Sequence, residues 1–143
     1  MSMDFYVWRG PKLSADEFGQ RLMDMDEQDL DEASLFAWSD RLPRFRREVL
    51  GRYPALEDLP DGETDSANPW AMTPVESTRF IELNLRWSAT QEQLTFIFQR
   101  ALYNGLHIYD PQNDEVIGPG PERWQVWLRK VGLGRLAGQD RPW

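Results

Sequence analysis

The residues best able to do chemistry are the acids, and the densest run of them is DMDEQDLDE at 24–32. Asp24 and Asp26 stand where the first ligands of a calcium loop would. An EF-hand loop starting at Asp24 needs glycine at 29 and glutamate at 35, and the chain has Asp29 and Leu35. The run therefore reads as a solvated helix end and not as a metal site. Histidine occurs once, at His107 between Leu106 and Ile108, so relays and multi-histidine metal sites lack members. It reads as a hydrogen-bonded strand histidine. Cysteine is absent, which removes thiolate nucleophiles, disulfides and zinc–sulfur sites. Arg44, Arg46, Arg47 and Arg52 could meet a phosphate, but they also neutralise the acidic segments on either side. No Walker loop, GxGxxG, GxSxG or HExxH is present. Carboxylates are plentiful enough for a hydrolytic pair, yet their spacing singles out none. The chemistry points away from an enzyme, with no cofactor and no metal expected.

The elements that must position these residues are legible. Around the centre, Ile81, Leu83, Leu85 and Trp87 alternate with Glu82, Asn84 and Arg86, the period of a half-buried strand. Ser88 with Gln91 forms a capping box in sequence, and Leu94, Ile97, Phe98, Ala101 and Leu102 make one helical stripe behind it. Gly105 suits a left-handed helix terminus, Leu106 opens a second alternating run, and Asp110-Pro111 closes it. Upstream, Asp4–Trp8 is a short strand ended by Gly10-Pro11. A helix follows with Leu13 as staple, Ser14 as N-cap, Glu17 as box partner, and Phe18, Leu22 and Met25 inside. A second helix over 35–53 carries Pro43 in its first turn and Phe45, Val49, Leu50 and Tyr53 on one side. Residues 55–67 form a long acidic loop, 70–73 and 115–117 are short strands, and 123–131 is an amphipathic helix holding Trp124 and Trp127.

That order predicts an α+β fold: a ferredoxin-like β-α-β-β-α-β antiparallel sheet with an inserted helix and a C-terminal helical extension. One domain spans 1–118, and a basic, tryptophan-containing extension spans 119–143. Helices on one face leave the other to be covered or used. Phe5, Val7, Ile81, Leu83, Leu85, Leu106 and Ile108 are expected to face the helices. Tyr6, Trp8, Glu82, Asn84, Arg86, His107 and Tyr109 are then expected to face outward, as a recognition surface unless Trp124 and Trp127 fold back over it.

Composition narrows the partner. Apolar content of 41% marks a globular chain, and no run approaches the roughly 18 apolar residues of a membrane span. The opening MSMDFYVWRG lacks a signal-peptide pattern, and with the missing cysteines this implies a cytoplasmic protein. A net charge of −8 argues against phosphate neutralisation as a binding mode, so no nucleic acid is expected as a partner. The acidity is concentrated: nine acidic against three basic residues in 1–32, and six against none in 55–78. It serves solubility, or it docks a basic partner.

The pattern FYVWRGPKLSADE…RYPALEDL…NPWAMTP…LNLRWS…ALYNGLHIYDPQ resembles a group of small bacterial proteins that share the YVW strand, the Pro-Trp pair and a Gly-Leu-x-x-Tyr-Asp-Pro-Gln close. The similarity runs over roughly residues 3–117. The group carries no established activity and looks like the immunity proteins of bacterial toxin systems. The resemblance implies a non-catalytic protein that binds and neutralises a cognate toxin with a basic surface, working as a monomer or weak dimer. The partner-binding residues expected are Tyr6, Trp8, Asp58, Asp61, Asp65, Trp70, Glu82, Arg86, His107 and Tyr109. A small-ligand or nucleotide-binding regulatory domain, using the outer sheet face and the arginines of 44–52, is the alternative.

Overall fold

A computed structural model describes residues 2–27, 35–59 and 68–119, together with Trp127 and Val131. Five strands form one antiparallel sheet in the order β2-β3-β1-β4-β5. They are β1 (Ser2–Trp8), β2 (Trp70–Met72), β3 (Ile81–Arg86), β4 (His107–Asp110) and β5 (Glu115–Ile117). Between them lie helices α1 (Ala15–Glu27), α2 (Arg41–Arg52) and α3 (Gln91–Tyr103), and a 3-10 turn at Leu56–Asp58. The class is α+β. No helix among the described residues is long and apolar enough to cross a membrane.

The strands sit where alternation places them. β1 is central: Phe5 opposes Leu83 on one side, while Val7 opposes Ile108 on the other. Met3, Phe5, Val7, Ile81, Leu83, Leu85 and Ile108 all point to one face and are buried. On that face α2 contributes Leu42, Phe45 and Val49, and α3 contributes Leu94, Ile97, Phe98 and Ala101. Trp127 joins the same layer, its ring 4.7 Å from Phe98 and 6.0 Å from Phe5.

Local signals explain the helix ends, with one correction. The Ser14 hydroxyl accepts from the Glu17 amide at 3.1 Å, while the Glu17 carboxylate accepts from the Ser14 amide at 3.1 Å. The cap of α3 is Thr90, not Ser88. Thr90 Oγ1 accepts from the Gln93 amide at 3.1 Å, and the Gln93 side chain accepts from the Thr90 amide at 2.9 Å. SATQEQ holds two overlapping matches to the same box. A turn in which the Ala89 amide bonds the Arg86 carbonyl and buries Ala89 selects the later one. Gly105 ends the helix at φ 73°, as its left-handed role requires.

The second correction concerns the layers. Helices on one face only are not what forms: α1 packs on the opposite face from α2 and α3. Its Phe18 lies 4.4 Å from the Trp8 ring, 5.1 Å from Tyr109 and 5.5 Å from Tyr6. Leu13, Phe36, Leu22, Met25 and Phe80 complete this smaller cluster. Trp127 therefore does not cover the outer face, and Trp124 lies outside the described residues. The cover comes from α1, because a sheet aromatic on both sides needs apolar partners on both sides.

Candidate binding surface

The outer face divides into a sealed half and an open half. Beneath α1, Trp8 is fully buried, with its indole N–H donating to the Pro11 carbonyl at 2.8 Å and its ring stacked on His107 at 5.3 Å. Trp70 is also buried, on the inner face, where its indole donates to the Tyr53 carbonyl at 2.8 Å. Neither tryptophan is a contact residue without opening the fold. This corrects their assignment to a partner surface: both indoles are satisfied internally, so both are core. Tyr6 and Tyr109 are half-buried, their rings 6.1 Å apart. Burial first, and then the Glu82 and Asp4 carboxylates, push the Tyr6 phenol up to about 12. Burial followed by Asp114 raises Tyr109 in the same direction.

His107 is partly buried, and its Nδ1 has no hydrogen-bond partner. The expected hydrogen-bonded ring nitrogen is thus absent at that atom. Burial pushes the imidazole below its ordinary value; the Arg9 backbone pulls partly the other way, and the Lys12 and Arg9 charges push it down again.

The open half starts where α1 ends its cover. Across β1 and β3, Asp4 pairs with Asn84 and Ser2 with Arg86. Asp4 Oδ1 accepts from Ser2 Oγ and from Asn84 Nδ2, both at 2.8 Å. The same Asn84 amide donates to Glu82 Oε1 at 3.1 Å, and the Asp4 amide donates to Gln112 Oε1 at 2.8 Å. Two carboxylates are thereby aligned by neutral donors, and among the described residues neither has an ion-pair partner within 4.0 Å. Met72, the register partner of Asn84, is 60% exposed beside them. Arg86 is half-buried, its Nη1 3.4 Å from the Asn68 carbonyl. Glu82 and Asp58 are exposed; Asp61 and Asp65 lie outside the described residues.

Other candidate sites are occupied, small or shallow. Arg44 pairs with Glu48 at 3.2 Å, Arg46 donates to the Pro74 carbonyl at 2.8 Å, and Arg52 reaches Glu92 at 3.9 Å. A cavity of about 120 Å³ lies by Trp87, Met3, Phe5 and Val131. It is below the few hundred Å³ typical of ligand pockets, whereas a shallower cleft of about 420 Å³ beside Arg52, Tyr53, Glu92 and Phe96 lies within that range. No group of three or more metal-ligating residues occurs among the described residues. Asp24 and Asp26 sit within α1.

Two features escaped sequence reading. Asp110 is fully buried and accepts five hydrogen bonds: two each from Gln112 and Asn113, and one from Trp127 Nε1 at 2.8 Å. The Tyr-Asp-Pro-Gln motif is therefore a structural clasp. Trp38 is 61% exposed on the approach to α2: it keeps helical spacing with Leu42, Phe45 and Val49 in sequence, but the helix begins only at Arg41.

No family model matches this chain, and the searches of curated proteins and of solved structures also find no match.

Proposed function

We propose that this chain is a non-catalytic, cytoplasmic immunity protein that binds a cognate bacterial toxin and neutralises it by covering its active site. The observation that carries the reading is the Asp4–Asn84–Glu82 row: negative charge on a rigid, solvent-facing sheet, aligned by neutral donors and without an ion-pair partner among the described residues. Such a row suits a basic protein surface. Charges fixed in advance lose little freedom on binding, and they raise the rate of encounter with an oppositely charged partner. The net charge of −8 and the resemblance of the YVW…YDPQ pattern support the same conclusion. Glu82, Arg86 and Asp58 are the contact residues kept from the sequence reading, with Asp61 and Asp65 adding charge. Tyr6, Tyr109 and His107 support the face from below and at its edge. The ligand-binding alternative has weaker support, because α1 covers the aromatic half of the face and three of its four arginines bond the protein's own groups.

The test is affinity capture of the tagged protein from its source organism at moderate salt, followed by a growth assay of the captured protein expressed with and without this chain. One stoichiometric basic partner, toxic alone and harmless in combination, is the expected result. Charge reversal at Asp58, Asp61 and Asp65 should then slow association and flatten its salt dependence. Capture of no partner from cells shown to express toxin genes would overturn the proposal.

A further inference from the structure

Where the end of α2 meets the first half of α3, Tyr53 and Phe96 line a cleft of about 420 Å³ with Arg52, Glu92 and Gln99. The two rings stand 5.7 Å apart and nearly perpendicular. Tyr53 is fixed through its backbone: its amide donates to the Val49 carbonyl and its carbonyl accepts from the Trp70 indole, both at 2.8 Å. The residue is only 6% exposed, and its hydroxyl makes no hydrogen bond among the described residues. The sealed polar atoms without a partner there belong to Trp87 and His107, so the phenol oxygen opens into the cleft. Burial raises this phenol above its ordinary value; the Arg52 charge pulls it down and Glu92 pushes it up again. It therefore keeps its proton near neutrality and is an unfilled donor.

Arg52 supplies a second donor. Its guanidinium lies over the Tyr53 ring, 5.1 Å from the centroid, which uses the flat face and leaves the N–H edge available. Among the described residues only Glu92 meets that edge, at 3.9 Å, beyond hydrogen-bond length. Both side chains are largely exposed, at 55% and 83%, so the pair holds weakly.

The other charges along this seam are placed. Arg44 and Arg100 share the Glu48 carboxylate at 3.2 and 3.3 Å, and Arg100 also lies over Phe96 at 5.9 Å. Arg47 is exposed. Four arginines against two glutamates leave the seam net positive, and Arg41 and Arg46 on the earlier turns of α2 add to it. On the turn that follows, Glu57 accepts from Thr73 Oγ1 at 2.6 Å; neither it nor Asp58 acts on the Tyr53 phenol.

A ligand for this cleft must bring an acceptor for two donors and a flat apolar body for Phe96. One guanidinium and one phenol match the two oxygens of a carboxylate. A doubly charged phosphate suits the site less, because Glu92 repels it and Arg44 and Arg100 are already engaged.

We propose that the α2–α3 cleft binds a small aromatic carboxylate, its oxygens on Arg52 and Tyr53 in place of Glu92 and its ring against Phe96. This goes beyond the immunity reading and does not depend on it, since α2 and α3 pack on the sheet face opposite the Asp4–Glu82 row.

The test titrates the full chain with naphthoate near neutral pH while following its amide and side-chain NMR signals. Naphthamide (the same rings without the charge) and adenosine monophosphate are the controls. Saturable binding at about 1 mM or tighter is expected, with the largest shifts at Tyr53, Thr95 and Phe96. Both controls should bind about tenfold more weakly or worse. Arg52→Gln should weaken naphthoate about tenfold, and Tyr53→Phe about threefold. Glu92→Gln should act in the opposite sense and tighten binding about threefold, because it removes the competing carboxylate. Arg52 and Glu92 are exposed, so these two variants keep the fold and decide the matter even if Tyr53→Phe does not. The proposal is overturned if naphthamide or adenosine monophosphate binds as tightly as naphthoate, or if the shifts map away from the cleft. It is equally overturned if Arg52→Gln and Glu92→Gln both leave the affinity within about twofold of wild type, or if nothing saturates by about 10 mM.

Discussion

The two faces of the sheet come from the same alternating strands and end in different states. On the inner face, two helices and Trp127 close over Phe5, Leu83, Leu85 and Ile108 until each is fully buried. On the outer face a single helix closes over Tyr6, Trp8 and Tyr109, and the strands run on into an uncovered row of Asp4, Asn84 and Glu82. Strand periodicity assigns residues to faces, but the number and length of the covering helices decide which part of a face stays available. Stability resides on the inner side and the candidate recognition chemistry at the margins of the outer one.

Truncating one ring on each side should break that comparison most forcefully. Phe98→Ala removes a fully buried ring in contact with Phe5 and Trp127, and should cost about 3–5 kcal/mol in urea unfolding. Phe18→Ala strikes the single-helix cover and should cost about 2–4 kcal/mol, less because half-buried neighbours relax towards water. It should also return the Tyr6 phenol from about 12 towards its ordinary value, read by ultraviolet titration. Equal costs together with an unmoved Tyr6 would mean that α1 is not what covers the outer face.

Asp110→Asn comes next. It keeps the side-chain volume but puts an amide where two oxygens accept five donors, so at least one N–H must face another donor. About 2 kcal/mol of destabilisation is expected, with a change in Trp127 fluorescence. A silent variant would show that Trp127 is held by packing alone. Thr90→Ala should cost about 1 kcal/mol while Ser88→Ala costs nothing measurable, which separates the two overlapping caps. The smallest effect is a pH dependence. His107 is held below its unfolded value of 6.5, so the unfolded chain binds the proton more readily. Stability is then full above that value and falls as the pH drops below it. His107→Gln should flatten the slope between pH 7 and 5.

Much of this architecture is legible in the sequence. The strands are, because alternating apolar residues leave few registers that bury them. The box at Ser14 and the glycine at 105 are, because each satisfies orphaned helix-end groups in one way. The side taken by α1 is not. Its apolar stripe of Phe18, Leu22 and Met25 needs a partner, and both faces of β1 offer one, with Phe5 and Val7 on one side and Tyr6 and Trp8 on the other. For the same reason Trp8 and Trp70 read as contact residues. An indole looks alike in sequence whether its N–H meets water or, as here, the carbonyls of Pro11 and Tyr53. Trp38 is in phase with Leu42, Phe45 and Val49, so pattern reading places it on the inner side of a helix over 35–53, whereas the helix starts at Arg41 and leaves the indole exposed.

The central position of β1 has a kinetic consequence. The strand that holds the sheet together is the first of the five to be translated, and its partners are far along the chain: Ser2 opposite Arg86, Trp8 opposite His107. Both ladders close long loops, which slows folding relative to hairpin-built sheets of the same size. Until β3 and β4 have been made, a nascent chain carries Phe5, Tyr6, Val7 and Trp8 as an apolar strand with two open edges. The acidic residues that crowd the next stretch, from Asp16 to Glu32, keep charge beside that strand throughout the wait.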